Sequence, residues 1–159
     1  MARASFSTVF DRTAADIWAK VRDFGDYALW VDHVDESTIE GDRPGYAVGA
    51  VRRARMGARA IRQRLLAHSD LERTYVYEFA DAPPPPLASY RATIRVTKVI
   101  DGDRAFVEWW ADFDVAPAAI DHWRGFYAAA FAGWLEVPRR RLREIPGPLK
   151  TAPPRIRAG

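Results

Sequence analysis

A change in hydrophobic period near residue 115 constrains the fold of this chain more than any other feature. Residues 34–114 alternate between apolar and polar side chains, as in "RTYVYEFA" and "ASYRATIRV", and glycine- or proline-containing turns separate the segments. From Ala118 to Glu136 the large apolar side chains recur instead at three- and four-residue steps. Alternation is typical of β-strands, and the longer step is typical of an amphipathic helix. We therefore predict six consecutive antiparallel strands and then one helix of 19 residues, which Pro138 ends or kinks.

The N-terminal segment predicts one more strand and two short helices. Residues 3–10, "RASFSTVF", alternate in the same way, and Thr13 with Asp16 three residues later forms a variant of the capping box. A second short helix is predicted to contain Tyr27 and Trp30. The predicted fold class is therefore α+β, with a curved seven-stranded antiparallel sheet packed around a long C-terminal helix. Such a helix-grip arrangement leaves a cavity between sheet and helix.

Composition limits the classes of function. The chain has 159 residues, including six tryptophans and no cysteine, so we expect one domain without disulfides or thiolate chemistry. Its three histidines are not at metal-ligand spacing, and the sequence contains no P-loop, dinucleotide fingerprint or nucleophile elbow. We therefore expect neither a metal nor a cofactor. No secretory segment or membrane-spanning apolar run occurs, which favours a cytoplasmic protein without a transmembrane segment.

Positive charge is concentrated at the C-terminus. Residues 138–159 carry seven Lys or Arg against one Glu, so this part holds a net charge of +6 and the remainder −3. We expect a domain over residues 1–145 and an extended or disordered, basic, proline-rich tail over residues 146–159. A basic tail is a poor argument for specific nucleic-acid binding. Arg139, Arg140 and Arg141 could contact an anionic surface, but a solvated helix end that complements the helix dipole is the simpler interpretation.

Strand parity predicts which side chains face the helix, because side chains alternate between the two faces of a sheet. On the segment "ARAIRQRLLA" the predicted inward positions are Ile61, Gln63, Leu65 and Ala67. Combined with the helix stripe, the parity predicts a mainly apolar wall with a few polar tips. The predicted ligand-binding residues are Trp30, Gln63, Tyr77, Tyr90, Trp109, Phe113, Trp123, Tyr127 and Phe131. For each of these residues alone, an ordinary place in the core is the competing interpretation.

The outward face of the last strand carries carboxylates. Glu108, Asp112 and Asp114 fall on the side opposite the apolar wall, where Arg91 and Arg95 of the preceding strand would pair with them. This row is therefore interpreted as surface ion pairing rather than as an acid/base site.

The loop "DAPPPPL" at 81–87 joins two strands where a two-residue turn would be enough. Proline fixes φ and favours polyproline II, so the loop is predicted to form a stiff lip at the open end of the cavity. A long connection that merely tolerates prolines is the alternative.

Several segments, in this order, resemble one known superfamily. The segments are "IWAKVRDFGDYALW" (17–30), "VGAVRR" (48–53), "IRQRLLAHSD" (61–70), "PPPPLASYRATIRV" (83–96) and "VEWWADFD" (107–114). Together they resemble the START/SRPBCC superfamily, in particular its bacterial polyketide cyclase/dehydrase-like branch, which has the helix-grip fold of the birch-pollen allergen. The chain departs from the pattern at two places. Many relatives have "WHP" where this chain has Trp30-Val31-Asp32, and many have Glu where it has Gln63.

The resemblance implies one of two functions. The first is binding, as carrier or sensor, of a hydrophobic small molecule such as a lipid, a polyketide or an aromatic metabolite. The second is a cofactor-independent cyclase or dehydratase that uses tyrosine or Asp/His groups, for example Asp32 and His33, as proton donors. The sequence assigns no catalytic residue, and it leaves the oligomeric state open.

Overall fold

The computed structural model describes the backbone of residues 1–144 and the side chains of residues 1–141, so the tail predicted for residues 146–159 lies outside the described residues. The strands are β1 (Ala2–Phe10), β2 (Glu36–Ile39), β3 (Val51–Met56), β4 (Arg59–Ser69), β5 (Thr74–Phe79), β6 (Ser89–Val99) and β7 (Arg104–Asp114). The helices are α1 (Ala14–Val21), α2 (Tyr27–Trp30) and α3 (Ile120–Glu144).

The seven strands form one antiparallel sheet in the order β1-β7-β6-β5-β4-β3-β2. Neighbouring strands along the chain pair through hairpins, and Gly57 (φ +59°) and Gly102 (φ +77°) provide left-handed turn conformations that glycine adopts without steric cost. β1 instead pairs with β7, from Ala2 opposite Phe113 to Phe10 opposite Ala105. The predicted fold class is confirmed: a curved sheet, short helices after the first strand and a long C-terminal helix.

The two short helices begin as the sequence predicts. The hydroxyl of Thr13 accepts a hydrogen bond from the backbone N–H of Asp16 (3.1 Å), which caps α1. A 3-10 turn then leads into α2, and the carboxylate of Asp23 caps this turn by accepting from the N–H of Gly25 (2.8 Å). α2 is a single turn whose ends, Tyr27 and Trp30, are both buried.

α3 is longer than predicted. The expected end at Glu136 is wrong, because the helix continues through Pro138 to Glu144. A proline removes one backbone hydrogen bond, but side-chain contacts hold the turns that follow it. Arg139 donates to the hydroxyl of Thr8 and to the carbonyl of Val9 (3.1 Å), and Arg141 donates to the carbonyl of Leu29.

A β-bulge reverses the predicted parity at the end of β4. The pairing between β4 and β5 shifts register between Leu65 and Ala67, so Ala67 is exposed and its predicted inward position is wrong. His68 takes the inward side instead and packs against Trp18, with 5.4 Å between the ring centroids.

The carboxylates of β7 are on the outer face as predicted, but Asp112 and Asp114 have other partners. Asp112 pairs with Arg3 of β1 (2.7 Å), and Asp114 accepts from the hydroxyl of Ser89 (2.8 Å). Arg95 lies over the ring of Trp110, 5.6 Å from its centroid. Arg91 and Arg95 lie opposite Asp112 and Glu108 in the register of β6 and β7, as predicted, but the cross-strand ion pair of Asp112 is with Arg3 of β1 and not with Arg91.

The proline loop is a closed turn rather than a polyproline II segment. The N–H of Leu87 donates to the carbonyl of Pro84 (3.1 Å), whereas polyproline II has no internal hydrogen bonds. The peptide bond between Pro85 and Pro86 is cis, and Leu87 is buried beneath the loop.

A polar clamp joins α1 to the β4–β5 hairpin. The carboxylate of Asp70 accepts from the indole N–H of Trp18 (2.8 Å) and from two nitrogens of Arg22 (both 2.9 Å). The Arg22 hydrogen bonds, followed by that of Trp18, hold the pKa of Asp70 well below its usual range. The ionised carboxylate therefore contributes stability above its unfolded-state pKa near 4, and that contribution is lost as the pH falls through the lower folded-state pKa.

We expect Asp70→Asn to lower the free energy of unfolding by about 1 kcal/mol at neutral pH, because the clamp loses its charge but keeps an acceptor. Urea denaturation at pH 7 and pH 3 measures the effect, and the difference from wild type should shrink at pH 3, because this pH lies below the unfolded-state pKa of aspartate and the unfolded chain is stabilised by protonation. Asp101→Asn is the control, because the side chain of Asp101 is 98% exposed and its pair with Arg104 is at 3.9 Å. Equal losses in both variants would contradict the clamp.

Candidate ligand-binding site

The inner face of the sheet, together with α2 and α3, encloses a continuous aromatic interior. Trp109 of β7 stacks on Phe131 of α3 with 5.0 Å between ring centroids, and it meets Trp30 of α2 at 5.4 Å. Tyr90 of β6 meets Tyr127 of α3 at 5.1 Å. Two strands and two helices therefore meet through ring contacts.

The structure brings the predicted ligand-binding residues together in this interior. Trp30, Gln63, Tyr77, Tyr90, Trp109, Phe113, Tyr127 and Phe131 are all buried. Trp123 is half-buried, and its ring lies 6.0 Å from that of Tyr127 toward the start of α3. Whether these side chains bind a ligand remains a prediction.

Polar atoms are few inside this wall. The indole N–H of Trp109 donates to the hydroxyl of Tyr77 (3.1 Å), which satisfies both buried groups. The indole nitrogen of Trp30 is also buried, but it has no hydrogen-bond partner among the described residues. An unpaired buried donor costs about 1–3 kcal/mol, so Trp30 marks a place where an acceptor would stabilise the interior.

The parity analysis did not single out Arg52, although this residue is the polar centre of the interior. Its side chain is only 1% exposed, and its guanidinium donates to Gln63 Oε1 from both Nε (3.1 Å) and Nη2. Nη1 donates to the carbonyl of Phe24 (3.1 Å). Among residues 1–141, none of the ion pairs includes Arg52.

Aromatic rings replace a counter-ion around this guanidinium. The Cζ atom of Arg52 lies 3.7 Å from the ring centroid of Tyr27, 3.8 Å from that of Phe24 and 5.3 Å from that of Tyr77. Burial of a charge costs several kcal/mol, and a desolvated cation–π contact returns about 2 kcal/mol. The rings and the amide of Gln63 therefore offset part of that cost, and the net charge of the site stays at one positive unit.

The sequence signal that could have found Arg52 is local. In "VGAVRRA" (48–54), Arg52 alternates with Ala50 and Ala54, which are fully buried small residues on the inner face of the sheet. A long cationic side chain between two inward alanines has room to extend into the interior.

The hydroxyl groups of the interior tyrosines have raised pKa values. Burial raises the pKa of Tyr27, Tyr75 and Tyr77 above the usual value for tyrosine, although the nearby Arg52 lowers each pKa in part. Burial also raises the pKa of Tyr90, and it raises the pKa of Tyr127 to about 12. At neutral pH these hydroxyls are therefore neutral hydrogen-bonding groups.

A cleft of about 340 Å³ lies at the rim of the sheet beneath the proline loop. Pro83, Phe79 and Tyr90 line it together with charged residues of the outer face of the sheet, namely Glu78, Arg91 and Asp112. Tyr90 therefore lies between this cleft and the buried rings. On the first turns of α3, Phe126 is 53% exposed beside the half-buried Trp123.

The remaining candidate groups lie away from the interior. Asp32 pairs with Arg140 (4.0 Å), and His33 is exposed with a positive φ of 67°. Arg139 and Arg141 are held by the hydrogen bonds to β1 and α2 described above. Within the described part of the chain, no group of three or more His, Asp or Glu side chains is placed to hold a metal ion. None of the described helices has both the length and the apolar character needed to cross a membrane.

A curved antiparallel sheet wrapped around a long C-terminal helix and an aromatic interior defines the helix-grip class of proteins. The chain belongs to the family described as polyketide cyclase/dehydrase and lipid transport, whose model matches residues 1–142. No curated protein matches the chain.

Solved structures resemble the whole fold. A solution NMR structure from Thermobifida fusca is 28% identical, with a TM-score of 0.80 over 91% of this chain and 95% of that one. The protein XoxI from Bacillus cereus is 22% identical, with a TM-score of 0.78 over 91% of this chain and 97% of that one. The di-domain ARO/CYC BexL from the BE-7585A biosynthetic pathway is 12% identical, with a TM-score of 0.75 over 90% of this chain and 47% of that one.

We expect Tyr77→Phe to lower the free energy of unfolding by about 1–3 kcal/mol, because it leaves the buried N–H of Trp109 without its acceptor. Urea denaturation monitored by circular dichroism measures the change. Tyr127→Phe is the matched control and should cost less than about 0.5 kcal/mol, because the hydroxyl of Tyr127 makes no hydrogen bond to the described residues. Equal costs would contradict a special role for the Trp109–Tyr77 bond.

Proposed function

We propose that the protein binds a hydrophobic small molecule, as carrier or sensor, in the interior between its sheet and α3. The observation that carries the proposal is the concentration of large aromatic side chains from β5, β6, β7, α2 and α3 on one inner surface. Aromatic surface with a few convergent polar groups is the usual lining of small-molecule pockets. The family, whose description includes lipid transport, supports the same proposal.

A ligand would enter by separating rings that now touch. The cleft under the proline loop reaches Tyr90, and the contact between Tyr90 and Tyr127 is the next pair of rings inward. Rotation of aromatic side chains costs less than a change of backbone, so the interior can exchange ring–ring contacts for ring–ligand contacts of similar area.

A cyclase or dehydratase is the second candidate function, and the family description and the similarity to BexL favour it. Its proton donors would be the interior tyrosines. Effective general acids have a pKa near the working pH, whereas burial raises the pKa of Tyr90 and of its neighbours far above that range. Binding is therefore the first candidate function.

Native mass spectrometry of freshly purified protein tests the proposal. We expect a stoichiometric adduct that dissociates on denaturation and is soluble in organic solvent. A protein free of adduct that also binds no neutral lipophilic dye, such as Nile red, would overturn the proposal. Turnover of an added linear polyketide chain, reduced in Tyr90→Phe with unchanged affinity, would instead favour the cyclase.

Two adjacent tryptophans provide a matched pair of variants. Trp109→Phe should weaken Nile red binding at least fivefold, because Trp109 contacts rings of both α2 and α3. Trp110→Phe should leave binding unchanged, because Trp110 faces outward between Arg3 and Arg95. Fluorescence titration measures both, after circular dichroism has verified the fold. A loss of binding in Trp110→Phe alone would place the dye on the outer face of the sheet.

A further inference from the structure

The positive charge of Arg52 has no negative partner in the described part of the chain. Its hydrogen-bond acceptors are neutral: the side-chain carbonyl of Gln63 and the backbone carbonyl of Phe24. Buried guanidinium groups are usually paired with a carboxylate, because an unpaired charge in an apolar interior is strongly destabilising. At the position where a carboxylate would complete the pair, this chain has an uncharged amide.

The negative charge of Asp23 acts on the interior around Arg52, but its carboxylate oxygen is hydrogen-bonded to another group. Burial raises the pKa of Tyr75 first, and the negative charge of Asp23 adds to the effect. However, Oδ1 of Asp23 accepts the N–H of Gly25 (2.8 Å), and the residue forms no ion pair with Arg52 in the described structure. Asp23 therefore caps the 3-10 turn and does not neutralise the interior.

A second, independent observation also indicates that the interior lacks a hydrogen-bond acceptor. The buried indole N–H of Trp30 has no acceptor among the described residues. Tyr27 connects the two sites, since its ring lies 3.7 Å from Cζ of Arg52 and 5.6 Å from the ring of Trp30. The interior thus holds one uncompensated cation and one unused donor, and what it lacks is an acceptor that carries negative charge.

We infer that the molecule bound in this interior is a hydrophobic anion whose charged oxygen group, such as an aryl carboxylate, pairs with Arg52. The inference rests on the proposed function and adds the charge of the ligand to it. The rings of Phe24 and Tyr27 both lie against the guanidinium, so an oxygen would approach along its N–H edge, beside the hydrogen bonds to Gln63 and to the carbonyl of Phe24. Tyr77, whose ring is 5.3 Å from Cζ of Arg52, would contact the apolar part of the molecule.

The test compares 2-naphthoate with its uncharged methyl ester at neutral pH, since the two probes share one ring system. Because Arg52 is almost fully buried, each mixture is equilibrated until the fluorescence is constant. We expect wild-type protein to bind the carboxylate at least tenfold more tightly than the ester. We also expect the carboxylate alone to raise the melting temperature by several degrees.

Gln63→Glu is the decisive variant, because it supplies Arg52 with an internal carboxylate at the same position. We expect it to melt at a higher temperature than wild type without ligand, to lose the preference for 2-naphthoate and to keep its affinity for the ester. Arg52→Gln should also lose the preference, and Gln63→Glu keeps the inference testable if Arg52→Gln does not fold. Arg53→Gln is the matched control, since this neighbour on β3 is exposed and its removal should leave the preference intact.

Two results would overturn the inference. Equal affinity of wild type for both probes, or a preference that persists in Gln63→Glu, would exclude Arg52 as the anchor while leaving hydrophobic binding in place. Absence of binding by both probes, together with a native mass spectrum free of adduct, would overturn the proposed function and the anionic ligand together.

Discussion

The indole of Trp109 holds the two layers of this protein together. It stacks on Phe131, lies 5.1 Å from the ring of Trp134 on the same helix and meets Trp30 of α2. Its one polar atom is satisfied by Tyr77, two strands away in the sheet. A single side chain on the last strand therefore connects the sheet with both helical elements above it. This set of contacts fixes where α2 and α3 lie against β7.

Arg52 destabilises the same interior, whereas Trp109 stabilises it. Trp109 contributes by burying apolar area, whereas Arg52 places a charge where apolar area would be more stable. Neutral groups alone surround it, so the folded chain carries an electrostatic cost in its centre. Proteins commonly accept such costs at functional sites, and the cost at Arg52 therefore supports the proposal of a binding site in this interior.

Periodicity made most of the fold predictable. The alternation in β6 and β7 gave the inward positions Tyr90, Trp109 and Phe113, all of which are buried. Periodicity could not anticipate the bulge in β4, since an extra residue leaves the composition unchanged while it exposes Ala67 and turns His68 inward. The end of α3 was missed for a similar reason, because the contacts of Arg139 with β1 come from residues about 130 positions earlier in the chain. The candidate site was predictable as a wall, whereas its charged centre was not, since parity analysis searches for apolar positions.

The anchoring of α3 at one end decides where the interior can open. Arg139 and Arg141 fasten the last turns of the helix to the carbonyls of Val9 and Leu29. Among the described residues, the first turns, where Phe126 is exposed, have one such attachment, from Arg124 to the carbonyl of Arg3 (3.2 Å). If α3 rotated about its attached C-terminal end, the displacement would therefore be largest at its first turns, where Trp123 lies.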